Sequence, residues 1–356
     1  AELPATGGMV FASTLSSFDA DKVSLLAPLS INLLGNVEVQ RENLVLQSNS
    51  INAFAGVGGS ASNSTFEILD RLEIGGATRS SDLVGGTGTL TFNVGNEISF
   101  IGQIINFDGF SSDDAVKFDS QIVRVTDDTT VNVSANLNIN TNDVRFGIGD
   151  DLVINTQGGA NLGRSSQVND FSADIAVQEP PLFSQFILNA QGDVNINTQL
   201  SLNSGNFQIT SNGNNVEFGS DAVIDLSGQV ISIGDDIIPT DGGWMTVDSS
   251  GGDINFETPS SLDQITVNLD AADGSDAGLL ALYAATGNVS LSQNISAVSI
   301  DGKGGTFILD EGEITTNEFS NLTSQLNDNG FTLERVIRTR NGDITVSTGE
   351  EVISER

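Results

Sequence analysis

The chain has 356 residues, 38% of them hydrophobic and 39 of them glycine, and its 47 acidic against 13 basic residues give a net charge of −34. That charge argues against nucleic acid and anionic membrane surfaces as partners, because both would repel it. The absence of Cys and His removes disulfides, thiolate and imidazole metal sites, and every catalytic scheme that needs either side chain.

Residues 1–36 crowd Val23, Leu25, Leu26, Leu29, Ile31, Leu33 and Leu34 together without a clear period. The apolar run from Val23 to Leu34 is broken by Ser24, Pro28, Ser30 and Asn32, so it falls short of a transmembrane helix. No charged and then apolar leader opens the chain. This segment reads as an N-terminal cap or first irregular coil, which a repeat fold needs to cover its end.

From Val37 the grammar changes. VEVQ, NLVLQS, SINAFA, FEIL, LEI and TLTFNV are short runs of alternating apolar and polar residues, interrupted by the loops GVGGSASNS and GGATRSSDLVGGTG. Residues 89–155 are dense in apolar pairs two apart: Ile98/Phe100, Ile105/Phe107, Val116/Phe118, Val123/Val125, Val131/Val133, Leu137/Ile139, Val144/Phe146 and Leu152/Ile154. Each pair predicts a strand with one buried face. Across 157–183 the rhythm lapses and Pro180-Pro181 forbids a central strand, so a flank insertion is expected there.

The most regular stretch follows, with Val194/Ile196, Leu200/Leu202, Phe207/Ile209, Val216/Phe218, Ile224/Leu226 and Ile231/Ile233 separated by Gly, Asn, Asp and Ser. The pairs recur about every seven residues, too close for crossover helices, and the punctuation is not that of hairpins. The simplest chain of this kind is an all-β, single-stranded parallel β-helix (β-solenoid). Three strands per coil give a repeat of roughly 22 residues, and the coil runs over 37–314. WMTV, DINFET, ITVNL, LLALYAA, NVSLS, ISAVSI and TFILDE continue it. In the C-terminal segment 315–356, Thr315 and Glu318 form a capping box and Phe319, Leu322 and Leu326 share a helical face. They predict a short capping helix over 315–327, followed by the strands FTLERVI and DITVST.

Candidate chemistry rests on acidic bends. Asp113, Asp114, Asp127, Asp128, Asp150, Asp151, Asp235 and Asp236 fall in pairs, and stacked bends would gather their oxygens as calcium ligands. The same pairs admit a polysaccharide hydrolase or lyase on a β-helix scaffold, with Asn142-Asp143 and Asp150-Asp151 as the nearest match. That pattern also calls for a His and a basic motif that the chain lacks. Asn195, Asn197, Asn203 and Asn206 suggest amide ladders between coils. Phe207, Phe218, Phe256 and Phe307 suggest core stacks, and Trp244 a core, edge or sugar-stacking position.

GDVNINT, NGDITVST and EITTNEFSNLTSQLNDNGFTLERVIRTRNGDITV resemble the passenger repeats of filamentous-haemagglutinin-type bacterial surface proteins. The resemblance implies a right-handed β-helix displayed outside the cell and used in adhesion and self-association. The family's Asn-Pro-Asn secretion signature has no counterpart here, since no Asn-Pro occurs. The expectation is therefore a non-enzymatic, extracellular or cell-surface structural and adhesive protein. It would self-associate end to end and contact a glycan or protein of a host or matrix, without nucleic acid or a transmembrane segment.

Overall fold

The computed structural model describes residues 15, 17, 19–48, 50–54, 63–75, 88–107, 110, 114–166, 182–234, 236–261, 264–291, 294–344 and 346. The fold is all-β, mostly short strands in largely parallel sheets, with a helix at Thr316–Asp328. Contacts divide the chain into two compact units, Ala1–Arg145 with Asp150–Gln178, and Phe146–Gly149 with Glu179–Arg356.

In the first unit Lys22–Ala27 pairs with Glu38–Ser48, which pairs with the long strand Ser64–Gly75. Thr89–Val94 lies on the first half of Ser64–Gly75 and Glu97–Ile101 on its second half. From there the stack continues as two tracks. Ala115–Asp119, Asn136–Asn140 and Ala160–Gly163 follow Thr89–Val94, and Ile122–Val125 follows Glu97–Ile101. A further sheet stacks Ile104–Phe107, Thr129–Val133 and Asp151–Thr156. All of these pairings are parallel, and Phe66, Phe92 and Phe118 run through the interior as one column, with ring centroids 5.1 and 5.3 Å apart.

The second unit shows the same logic more plainly. Gln185–Ala190, Val194–Ile196 and Gln199–Ser201 are followed by Asn206–Ser211, Val216–Phe218 and Val223–Asp225, and each of the latter pairs in parallel with the strand three places before it. Trp244–Ser249, Leu279–Ala284, Thr306–Glu313 and Glu334–Asn341 extend the first of these sheets. Ile254–Phe256 with Val289–Ser290, and Val267–Asn268 with Ile295–Ser296, extend the other two. In-register parallel pairing puts like residues over like, so Phe186 stacks on Phe207 at 5.3 Å and Phe218 on Phe256 at 4.3 Å.

Five of the six apolar pairs expected over 193–233 are fully buried. The sixth corrects the expectation. Ile231 and Ile233 do not continue the stack, because Val230–Ile233 turns back on Asp236–Pro239 as an antiparallel hairpin. Val230, Ile237 and Ile238 are exposed on it. Its base is tied by the Thr240 N–H to the Gln229 carbonyl (2.9 Å) and by the Gln229 N–H to Thr240 Oγ1 (2.8 Å).

The spacing also departs from a fixed repeat: equivalent bend positions of the second unit lie 22, 38 and 35 residues apart. The hairpin and the loops absorb the difference while the strands keep register. The strand Ala160–Gly163 falls inside the stretch expected to be an insertion, and residues 167–181 lie outside the described residues. The loops at 55–62 and 76–87 also lie outside them. Glu334–Asn341 forms as a strand, but Asp343 and Ile344, where DITVST was expected to begin, do not.

The helix forms where the capping box predicts it. The Glu318 N–H donates to Thr315 Oγ1 (3.3 Å), and the Thr315 N–H donates to the Glu318 carboxylate (2.7 Å). Phe319, Leu322 and Leu326 are buried beneath the helix. No helix among the described residues is long and apolar enough to cross a membrane.

Candidate functional site

The acidic and amide residues at the bends have a definite job. In the second unit the Asn215 N–H donates to Asp193 Oδ1 (3.0 Å), the Asp253 N–H to Asn215 Oδ1 (2.9 Å), and the Asn288 N–H to Asp253 Oδ1 (2.8 Å). A second relay runs through Asp241, Asp276 and Lys303, each Asp accepting the next N–H at 2.9 Å. The first unit uses Asn36, Asn63 and Thr89 in the same way. A bend ends the ladder of strand hydrogen bonds, so its N–H needs a partner, and a short Asx side chain one level away supplies it. The Lys303 N–H correspondingly holds the Asp276 carboxyl below its usual range.

The eight aspartates expected to bind calcium fit this pattern unevenly. Asp128 Oδ1 accepts the Asp151 N–H at 3.1 Å, which brings two of the pairs together. The Asp114 carbonyl accepts from Asn136, and the Asp127 carbonyl from Thr129 Oγ1. Asp150 precedes the strand that Asp151 opens, and Asp236 is exposed in the hairpin. Asp113 and Asp235 lie outside the described residues. Among the described residues no three Asp or Glu side chains gather into a group that could hold a metal ion.

The expected asparagine ladder is also placed elsewhere. Asn197 Oδ1 accepts the Asp221 N–H and Asn203 Nδ2 donates to the Ser227 carbonyl, so both serve the backbone. The amide-to-amide ladder is Asn106, Asn132 and Asn155 in the first unit, bonded at 2.8 and 2.9 Å. No short-range sequence signal marks it, because its members meet only through register.

Two carboxylate arrangements carry shifted titrations. Glu217 and Glu257 hydrogen-bond to each other, which raises Glu217. Glu257, but not Glu217, lines a groove of about 730 Å3 together with Asn255, Ser290, Asn294 and Gln325 among others. Two carboxyls in hydrogen-bond contact are closer than the roughly 5 Å that a retaining glycosidase pair requires. Glu311, facing inward, is raised to about 7 by burial, against the Val289 N–H that it accepts, with the nearby Glu318 charge adding to the rise.

Cation clamps hold two buried acids. Glu97 takes Arg124 at 2.8 Å and Ser99 at 2.8 Å, with Arg71 at 3.5 Å. Burial opposes its ionised form, but these partners outweigh it and the carboxyl is lowered. Asp310 is gripped by Arg340 (2.5 and 2.6 Å) and Arg338 (3.2 Å), which pins the strand Glu334–Asn341. The chain matches no protein-family model, no curated protein and no solved structure.

Proposed function

We propose that both units are parallel β-helices of three strands per turn, and that the chain is a non-enzymatic structural and adhesive protein of the bacterial exterior. One observation carries the reading: the bend aspartates and asparagines act as acceptors for the N–H groups of the next level, so the chain's abundant acids serve architecture and solubility. The geometry also favours self-association. Among the described residues Glu334–Asn341 is the last strand of its sheet, with Arg338 and Arg340 on it. Among the described residues Lys22–Ala27 is the first strand of another, with Asp19 and Asp21 beside it and Leu26 exposed. Pairing of two such edges between copies is a heterologous contact, which builds filaments where it does not close into a ring.

Electron microscopy of the purified chain over a concentration series tests this reading, with filaments expected. Dispersed monomers at every concentration would sink the filament reading. Cleavage of a neutral or acidic polysaccharide, abolished by Glu257→Gln, would replace the structural reading with the enzymatic one.

A further inference from the structure

The chain has one tryptophan and one tyrosine, and both lie on the outward side of the same sheet of the second unit. Trp244 opens its strand with 62% of its surface exposed, while Met245 and Val247 point inward and are fully buried. Tyr283, on the adjacent strand, is in register with Asp248 on one side and Asp310 on the other. With strands about 4.8 Å apart and a rise of about 3.3 Å per residue, the Cα atoms of the two residues stand about 14 Å apart.

A third ring belongs to the same region. Phe183 stands just before Gln185–Ala190, two strands from Trp244, and is 53% exposed. Its φ is 61°, a left-handed conformation that is costly for a bulky aromatic. Ser204, at the equivalent position of the next level, has a φ of 54°, so the bend itself calls for this conformation and the exposed ring is simply carried on it. The positions equivalent to Phe183 on the next two levels are Ser204 and Gly242, and those in the row of Trp244 are Gln185 and Asn206.

We infer that this face binds a neutral polysaccharide chain, laid obliquely and mainly along the strands, with its sugar rings stacked on Trp244 and Tyr283 and reaching Phe183 at the margin. The C–H faces of pyranose rings pack on aromatic rings, and their hydroxyl edges find Thr246, Asp248 and Thr306, which share the outward rows. A flat, open face suits a polymer better than a small ligand, which needs a concave pocket. The −34 net charge selects against sulfated or uronic chains, which it repels. The inference rests on the adhesive reading and names its ligand class.

The single tryptophan makes the test direct. The full chain is titrated with hydroxyethylcellulose, glucomannan and dextran while Trp244 emission and its quenching by acrylamide are followed, and affinity electrophoresis in the same polymers gives the dissociation constants. At least one polymer is expected to shift the emission to the blue and protect it from quenching. Trp244→Ala should weaken retardation at least tenfold, and Tyr283→Ala and Phe183→Leu roughly threefold to tenfold each.

Melting temperatures should stay near wild type, since Trp244 points outward. Unchanged emission and mobility in all three polymers would overturn the site, as would full retention by the Trp244→Ala and Tyr283→Ala variants. Preferential binding of polygalacturonate, or of protein-coated beads over any polymer, would overturn the ligand class. A chain that forms filaments but binds no polymer loses this inference alone; one that binds polymer but stays monomeric keeps it.

Discussion

Glu311 faces inward at 5% exposure, and burial lifts its carboxyl from 4.5 to about 7. Between those values the folded protein holds a proton that the unfolded chain has released, so stability falls as pH rises across that window, by about 3 kcal/mol in all. Glu97 and Asp310, lowered by their arginines, act in the opposite direction: their contribution is present at neutral pH and is lost as pH falls below the ordinary carboxylate range. Maximum stability is therefore expected near pH 5, and Glu311→Gln should flatten the alkaline side. Thermal melts at pH 5 and pH 8 would show this, and a variant whose profile runs parallel to wild type would refute the assignment. The bend relay makes a second prediction. Asp253→Asn keeps the acceptor for Asn288 and should be nearly neutral, whereas Asp253→Ala leaves that N–H unpaired and should cost about 1 kcal/mol. If the side chain served through its charge, the Asn variant would behave like the Ala one.

At the level of elements, the helix Thr316–Asp328 buries Phe319, Leu322 and Leu326. Leu326→Ala should cost about 2–5 kcal/mol and Thr315→Ala about 1 kcal/mol in denaturant unfolding. The hairpin formed by 230–233 and 236–239 is the counter-case, because Val230, Ile237 and Ile238 are exposed on it and its base is already closed by Gln229 and Thr240. Replacing 230–239 by a short glycine turn should change stability by less than about 1 kcal/mol and leave the strand signal in circular dichroism unaltered. These two elements also show what the sequence made legible. The helix was readable because its cap and its apolar stripe are local. The inward strand pairs were readable because alternation is local too. Ile231 misled because a two-residue alternation looks the same in a projecting hairpin as in a stacked strand. The glycine column was hidden for a different reason. A Cβ on Gly205, Gly243 or Gly278 would lie 2.3, 2.3 and 2.0 Å from the carbonyl of the level before, but these glycines are neighbours only through register. The three rings at Phe183, Trp244 and Tyr283 were dispersed in the same way.

For the whole molecule, charge decides when association can occur. Copies carrying −34 each repel over a Debye length of about 30 Å at 0.01 M salt but only about 3 Å at 1 M. Pairing of the edges at Glu334–Asn341 and Lys22–Ala27 brings backbones within about 5 Å, so repulsion must be screened first. Sedimentation velocity should accordingly show monomers at low salt and larger species at high salt, a trend opposite to that of a complex held mainly by ion pairs. Screening alone does not separate strand pairing from nonspecific salting-out. Val336, 43% exposed on the last strand among the described residues, does. A lysine there adds one positive charge to an acidic molecule and so reduces overall repulsion, but it guards the edge in the way lysines protect exposed strands. Val336→Lys should therefore abolish the large species at high salt while leaving the melting temperature within a degree or two of wild type. Assembly that persists in this variant would mean that the copies meet through another surface.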